Sequence, residues 1–298
     1  MPRILVTGAG GFLGRYAVEA LARAGWTIIG TGRTAPDLPG LAESLPADLT
    51  DTYALKRLVH DARADVLLHL AWYDDPRLRW HASDNLDWVA ATLLLAREFA
   101  AKGGQRLVFG SSCAVYDFNA RSRHAEDDST NPGSLYGASK AAAGQLLSAA
   151  AATIGISFAE ARMFFCYGAG EPAGRLVPDL ISGLTAGRPV ECTDGRQRRD
   201  YLHAADIGSA LALISRSEIA GPVNVASGVS VPVADLISGV ANRLDRPDLV
   251  RLGAIPRVPD DPPDISADVS RLRGIGFEPQ FDLASGIAET LARELAKR

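Results

Sequence analysis

The chain has 298 residues, of which 47% are hydrophobic and 22% charged, and its net charge is −4. That is enough chain to bury a sizeable core in one large or two intimately joined domains, and it lacks the basic excess of a nucleic-acid binder. No apolar run approaches the ~20 residues of a membrane span. The N-terminus runs directly into a strand, leaving no room for a signal peptide, and Cys113, Cys166 and Cys192 read as buried thiols of a cytoplasmic protein rather than a metal or disulfide set.

In chain order, Ile4, Leu5 and Val6 form a short apolar run that reads as a buried parallel strand. It leads into Thr7-Gly8-Ala9-Gly10-Gly11-Phe12-Leu13-Gly14. Glycines at 8, 11 and 14 allow a tight turn, close backbone approach to phosphate and close helix packing. Residues 12–24 carry apolar side chains at helical spacing, so a helix N-terminus faces whatever the loop cradles. Strand signals follow at 26–31, 66–71, 107–109 and 156–162, alternating with helix signals at 51–62, 85–101 and 134–153. Such alternation predicts an α/β fold: a Rossmann-type, doubly wound parallel sheet. After about Phe164, Pro and Gly become frequent. Residues 166–298 are therefore expected to form a smaller C-terminal substrate-binding region, and 1–165 the dinucleotide-binding part, with 201–227 returning to it.

Tyr136 and Lys140 lie four apart on the helix expected over 134–153, so they share a face. A free phenol has a pKa near 10, too high for acid/base work at neutral pH, and a neighbouring ammonium favours the phenolate. Ser111 and Ser112 end the 107–109 strand, at the carboxyl edge where such sheets bind ligands. His69 and His203 stand alone and read as structural. Trp72 and Trp80 fall near the expected site entrance, and Trp88 on a helix face.

Taken together, these segments make the chain resemble the extended short-chain dehydrogenase/reductases of the nucleotide-sugar epimerase/dehydratase family. The resemblance rests on Thr7 to Gly14, Asp48-Leu49, His69-Leu70-Ala71, Asn85, Ser111-Ser112 with Val115-Tyr116, and Tyr136-Gly137-Ala138-Ser139-Lys140. It continues through Arg162, Tyr167-Gly168, Arg199 to His203, Asp206 and Asn224 to Gly228. It implies Tyr136 as catalytic acid/base, Lys140 as the group that lowers its pKa and holds the nicotinamide ribose, and Ser112 as the catalytic hydroxyl. It further implies cofactor contacts from Gly8, Gly11, Phe12, Leu13, Gly14, Asp48, Leu49, Leu70, Ala71 and Asn85; Trp72, directly after that segment, and Arg33, from its own place after the second strand, are expected to join them. Arg199 and Arg257 match arginines that grip the substrate diphosphate, and Arg175 and Asp260 are further residues expected to meet the substrate. Many relatives dimerise through the helices corresponding to 85–101 and 134–153. Here Ala141, Ala142, Ala149 and Ala152 would permit close helix approach.

Three departures shape the expected activity. NAD-binding members carry an acid at the end of the second strand, where this chain has Gly32 followed by Arg33. Without that carboxylate, Arg33 is placed either to bind a 2′-phosphate or to stack on the adenine, and NADP is expected over NAD. Phe165 replaces a frequent Asn, and Arg175 another. Cys113 and Ala114 replace the acidic pair of the dehydratases, which argues against dehydration. The expected activity is NADPH-dependent reduction of a nucleotide-linked 4-keto-6-deoxyhexose. The alternative is a 4-epimerase with tightly held NAD. A non-catalytic dinucleotide sensor is a remoter reading, because such proteins can drop the tyrosine and lysine that this chain keeps.

Overall fold

The computed structural model describes residues 2–73 and 75–296. Seven parallel strands form the main sheet: β1 (Arg3–Thr7), β2 (Thr27–Gly32), β3 (Leu41–Pro46), β4 (Val66–His69), β5 (Arg106–Ser112), β7 (Ser157–Met163) and β11 (Gly221–Val225). The intervening β6 (Arg123–His124), β8 (Phe165–Tyr167), β9 (Val190–Cys192) and β10 (Arg198–His203), and the later β12 (Ser230–Pro232), β13 (Val250–Leu252) and β14 (Asp264–Ala267), lie outside it. The main sheet runs β11-β7-β5-β4-β1-β2-β3, so it reverses direction beside β1, where the glycine loop emerges. Ligands bind at such switch points, beyond the strands' carboxyl ends.

Both faces of the sheet are covered, which explains the unbroken apolar run in β1. Ile4 and Val6 pack under α1 (Phe12–Arg23) and α6 (Ala204–Arg216). Leu5, one residue out of phase, packs under α2 (Thr52–Ala62), α3 (Asp84–Ala101) and α4 (Leu135–Ile154). A separate core joins α5 (Leu176–Thr185), α7 (Val233–Arg243) and α9 (Leu283–Leu295). The short α8 (Ser270–Gly274) sends Leu272 into the α1–α6 layer.

Two features differ from the sequence expectation. β3 was not anticipated: Leu41–Pro46 is a polar edge strand with no fully buried residue, so it has neither an apolar run nor an inward alternation. The second half is also more regular than its Pro and Gly content suggested, since α5, α6, α7 and α9 are amphipathic helices of ten or more residues. The return to the main sheet begins with α6, because β10 pairs with β8, β12 and β14 instead.

Candidate active site

The glycine loop is built by crowding. A Cβ on Gly14 would lie 2.0 Å from the carbonyl oxygen of Gly8 and 2.7 Å from that of Ala9, so no larger residue lets α1 start this close to β1. Gly11 caps α1 without any side-chain acceptor for the first-turn N–H groups. Those donors and the helix dipole suit a pyrophosphate, so the loop fits a dinucleotide.

A buried histidine holds the opposite wall. Thr7 Oγ1 accepts N–H bonds from Leu70 and Ala71, each at 3.1 Å, and lies 2.7 Å from His69 Nδ1. With its acceptor capacity engaged, the hydroxyl donates to Nδ1, which leaves Nε2–H to donate to Thr92 Oγ1 at 2.9 Å. Burial first, and the Lys140 charge second, depress the imidazole pKa to about 3. His69 is thus a neutral strut that fixes Leu70–Trp72 against the loop. His203 is also structural: burial and the Arg293 charge lower it to about 4, beside Thr290 and Glu289. Among the described residues no cluster of metal-ligating side chains exists.

α4 delivers the phenol and the ammonium. Ser134 caps it by accepting from Gly137 N at 3.1 Å. A Cβ on Gly137 would stand 2.2 Å from the Ala114 carbonyl oxygen. Glycine there lets the helix press against the turn that follows Ser112. Lys140, 2% exposed, donates from Nζ to the Gly110 carbonyl at 2.7 Å and sits 3.8 Å from the Trp72 ring centroid. Tyr136 meets the Trp80 ring edge-on at 5.5 Å. Ser112 Oγ accepts from Ala114 N at 3.2 Å and stands beside the Cys113 thiol in the cleft wall.

Ser112, Tyr136 and Lys140 line one cleft of about 450 Å³ with Gly8, Gly11, Phe12, Leu13, Gly14, Leu70, Ala71, Trp72 and Arg175. The other expected residues lie outside it. Asn85 is fully buried: it accepts from Trp72 Nε1 at 2.8 Å and donates to the Arg79 and Ala82 carbonyls, so it braces Trp72 in the cleft wall. The Leu49 side chain is in the core. Arg33 and Asp48 stand near the end of β2, where hydrogen bonds from Thr50, and then the Arg33 charge, hold the Asp48 carboxyl low. Arg199 is committed within the chain, to Asp261 at 2.5 Å and the Pro262 carbonyl. Arg257 pairs with Asp194 at 3.2 Å, and the exposed Asp260 sits in a left-handed backbone conformation at φ 60°.

The sequence reading passed over Arg79, Glu171 and Tyr201, which also line the cleft. Glu171 carried one usable signal, its place just past the carboxyl end of a strand. Arg175 lies 3.7 Å from it. Phe164, Phe165 and Cys166 make the wall beside Ser112 and Cys113 largely apolar. Burial pushes the Cys113 thiol up to about 12, so it stays protonated at neutral pH.

Comparison with known proteins follows this geometry. The model of the NAD dependent epimerase/dehydratase family matches residues 4–226. A UDP-glucose 4-epimerase of Azospirillum brasilense is 29% identical, over 97% of this chain and 90% of its own. The solved structure of MoeE5 with UDP-glucuronic acid and NAD is 30% identical, covers 99% of this chain and 100% of that one, and has a TM-score of 0.84. UDP-N-acetylglucosamine 4-epimerase from Methanobrevibacter ruminantium M1, solved with UDP-N-acetylmuramic acid, is 25% identical, covers 100% of this chain and 99% of that one, and has a TM-score of 0.86.

Proposed function

The chain belongs to the NAD-dependent epimerase/dehydratase family, and within it we propose an oxidoreductase acting at C4 of a nucleotide-linked hexose, as an NADPH-dependent 4-ketoreductase of a 4-keto-6-deoxy sugar. The observation that carries this reading is the convergence of Ser112, Tyr136 and Lys140 with the glycine loop in one cleft. The dinucleotide, held by Gly8 to Gly14 and Leu70–Trp72, supplies the hydride when bound. Tyr136 gives its phenolic proton to the C4 oxygen, and the Ser112 hydroxyl donates a hydrogen bond to the same oxygen. Lys140 favours the phenolate left behind. Arg175 is the cleft arginine assigned to the diphosphate.

Two features of the chain support reduction with NADPH. β2 ends at Gly32 with no carboxylate to repel a 2′-phosphate, and Arg33 follows it. The protonated Cys113 and the apolar Ala114 supply no acid/base pair for dehydration. A second reading, a 4-epimerase with tightly held NAD, is favoured by the Azospirillum relative and by the NAD-bound MoeE5. Mass spectrometry of cofactor released from the purified protein separates the two. NADP, or no retained cofactor together with NADPH-dependent reduction of a nucleotide-linked 4-keto sugar, supports the reductase. NAD retained through purification supports the epimerase.

We further propose that residues 1–165, with 204–227, serve the dinucleotide and the remainder serves the nucleotide sugar. We also propose a homodimer through α3 and α4.

A further inference from the structure

One charged side chain in the cleft has no task in the step described above. Glu171 follows β8, on a turn held at three points. Tyr16 donates its hydroxyl proton to the Ala169 carbonyl at 3.0 Å, Gly170 N donates to Glu294 Oε1 at 2.5 Å, and Glu171 N donates to the Gly168 carbonyl at 3.3 Å. The carboxyl is only 5% exposed, with Oε1 facing Arg175 Nη1 at 3.7 Å. Oε2 is buried and has no hydrogen-bond partner among the described residues. A buried acceptor left unfilled is costly, and a pinned turn cannot swing it out to water.

Several occupants are disfavoured by charge. A phosphate oxygen would be repelled by the carboxylate. A metal cation would meet Arg175 beside it and the Arg79 charge that also acts on it. What suits a buried, unfilled carboxylate oxygen on a residue that lines the cleft is a neutral donor.

We propose that Glu171 is a specificity residue of the sugar pocket, its unfilled carboxylate oxygen accepting a hydrogen bond from a ring hydroxyl of the nucleotide-linked sugar. This rests on the nucleotide-sugar reading above. In the free protein, burial pushes the Glu171 pKa up to about 7, against the lowering pull of Arg175 and Arg79. A hydroxyl donor from the sugar restores the ionised form, so ligand and carboxylate charge support one another. Arg175 and Arg79, the cations beside Glu171 in the cleft, serve the anionic part of the ligand.

The test is calorimetric titration, with dinucleotide present, of UDP against UDP-glucose and of dTDP against dTDP-glucose. Glu171→Leu should lose about tenfold or more in affinity for the nucleotide sugar and keep its affinity for the nucleoside diphosphate. Glu171→Gln keeps a carbonyl acceptor and should lose less, about threefold. Unchanged dinucleotide binding shows that each variant is folded, and if Glu171→Leu fails that check the glutamine variant carries the test. Equal losses for both ligands would mean that Glu171 only positions the arginines, and no loss for the sugar would mean that it meets no hydroxyl. Either result overturns the proposal. If the native protein binds none of these nucleotide sugars, the nucleotide-sugar reading itself fails, and the proposal with it.

Discussion

Tyr136→Phe keeps the ring against Trp80 and removes the proton. Turnover of a nucleotide-linked 4-keto sugar should fall by about 10²–10⁴-fold while dinucleotide binding persists; steady-state kinetics following NADPH measures the first, and calorimetry the second. Retention of a tenth of native turnover would contradict the assigned role. Gly32→Asp places a carboxylate at the end of β2 and should shift the ratio of NADPH to NADH affinity toward NADH by about tenfold or more. Native protein with equal affinity for both would count against Arg33 as a 2′-phosphate ligand. Glu171 gives a pH signature. Its folded pKa, about 7, lies above the ordinary 4.5, so between those values the native state binds the extra proton. Its contribution is therefore fully present below about pH 4.5 and lost as pH rises through 7. The loss is at most about 3 kcal/mol. Glu171→Gln is neutral throughout, so its urea-unfolding stability relative to native protein should rise across that window; a flat difference would refute the shifted pKa. At this scale the placement of Tyr136 and Lys140 was legible because four residues on a helix share a face, and that of Ser111 and Ser112 because they end a strand at the sheet's carboxyl edge; the choice of Ser112 came from the family resemblance. Asn85, Arg199 and Glu171 were not legible, because a polar side chain's role depends on whether its partners lie inside the chain, and spacing does not show this: Asn85 bonds Trp72, Arg79 and Ala82, Arg199 reaches Asp261 and Pro262, and one Glu171 oxygen is left unfilled among the described residues.

The helices were read from the sequence where apolar spacing was regular, as with α4, expected over 134–153 and found over Leu135–Ile154. β3 escaped because an edge strand needs no inward face, and α5 to α9 escaped because turn residues between them masked their periodicity. On α4, Ala142, Leu146 and Ala149 are exposed, Leu146 at 51%, and Leu86 on α3 is 59% exposed. α3 and α4 pack side by side, and in the proposed dimer a second copy of the pair would cover these exposed apolar residues. Leu146→Glu should convert a native dimer to a monomer at micromolar concentration, read by light scattering. A monomeric native protein would refute the dimer.

Across the whole molecule, the cleft is where the carboxyl edge of the parallel sheet faces β8, α5 and α7, so cofactor and sugar would be held by different layers. Tyr16 spans them: it belongs to the helix that begins at the glycine loop, and its hydroxyl holds the turn carrying Glu171. A dinucleotide that steadies the start of α1 therefore also steadies the sugar-side carboxylate. Linkage makes that coupling reciprocal. Nucleotide sugar should bind more tightly to the dinucleotide-loaded protein than to the empty one, by the same factor with which it tightens the dinucleotide. Tyr16→Phe should shrink that factor without abolishing either binding event, and calorimetry of each ligand with and without the other measures it. One phenol hydroxyl, remote from the reacting carbon, would then set how strongly each ligand tightens the other.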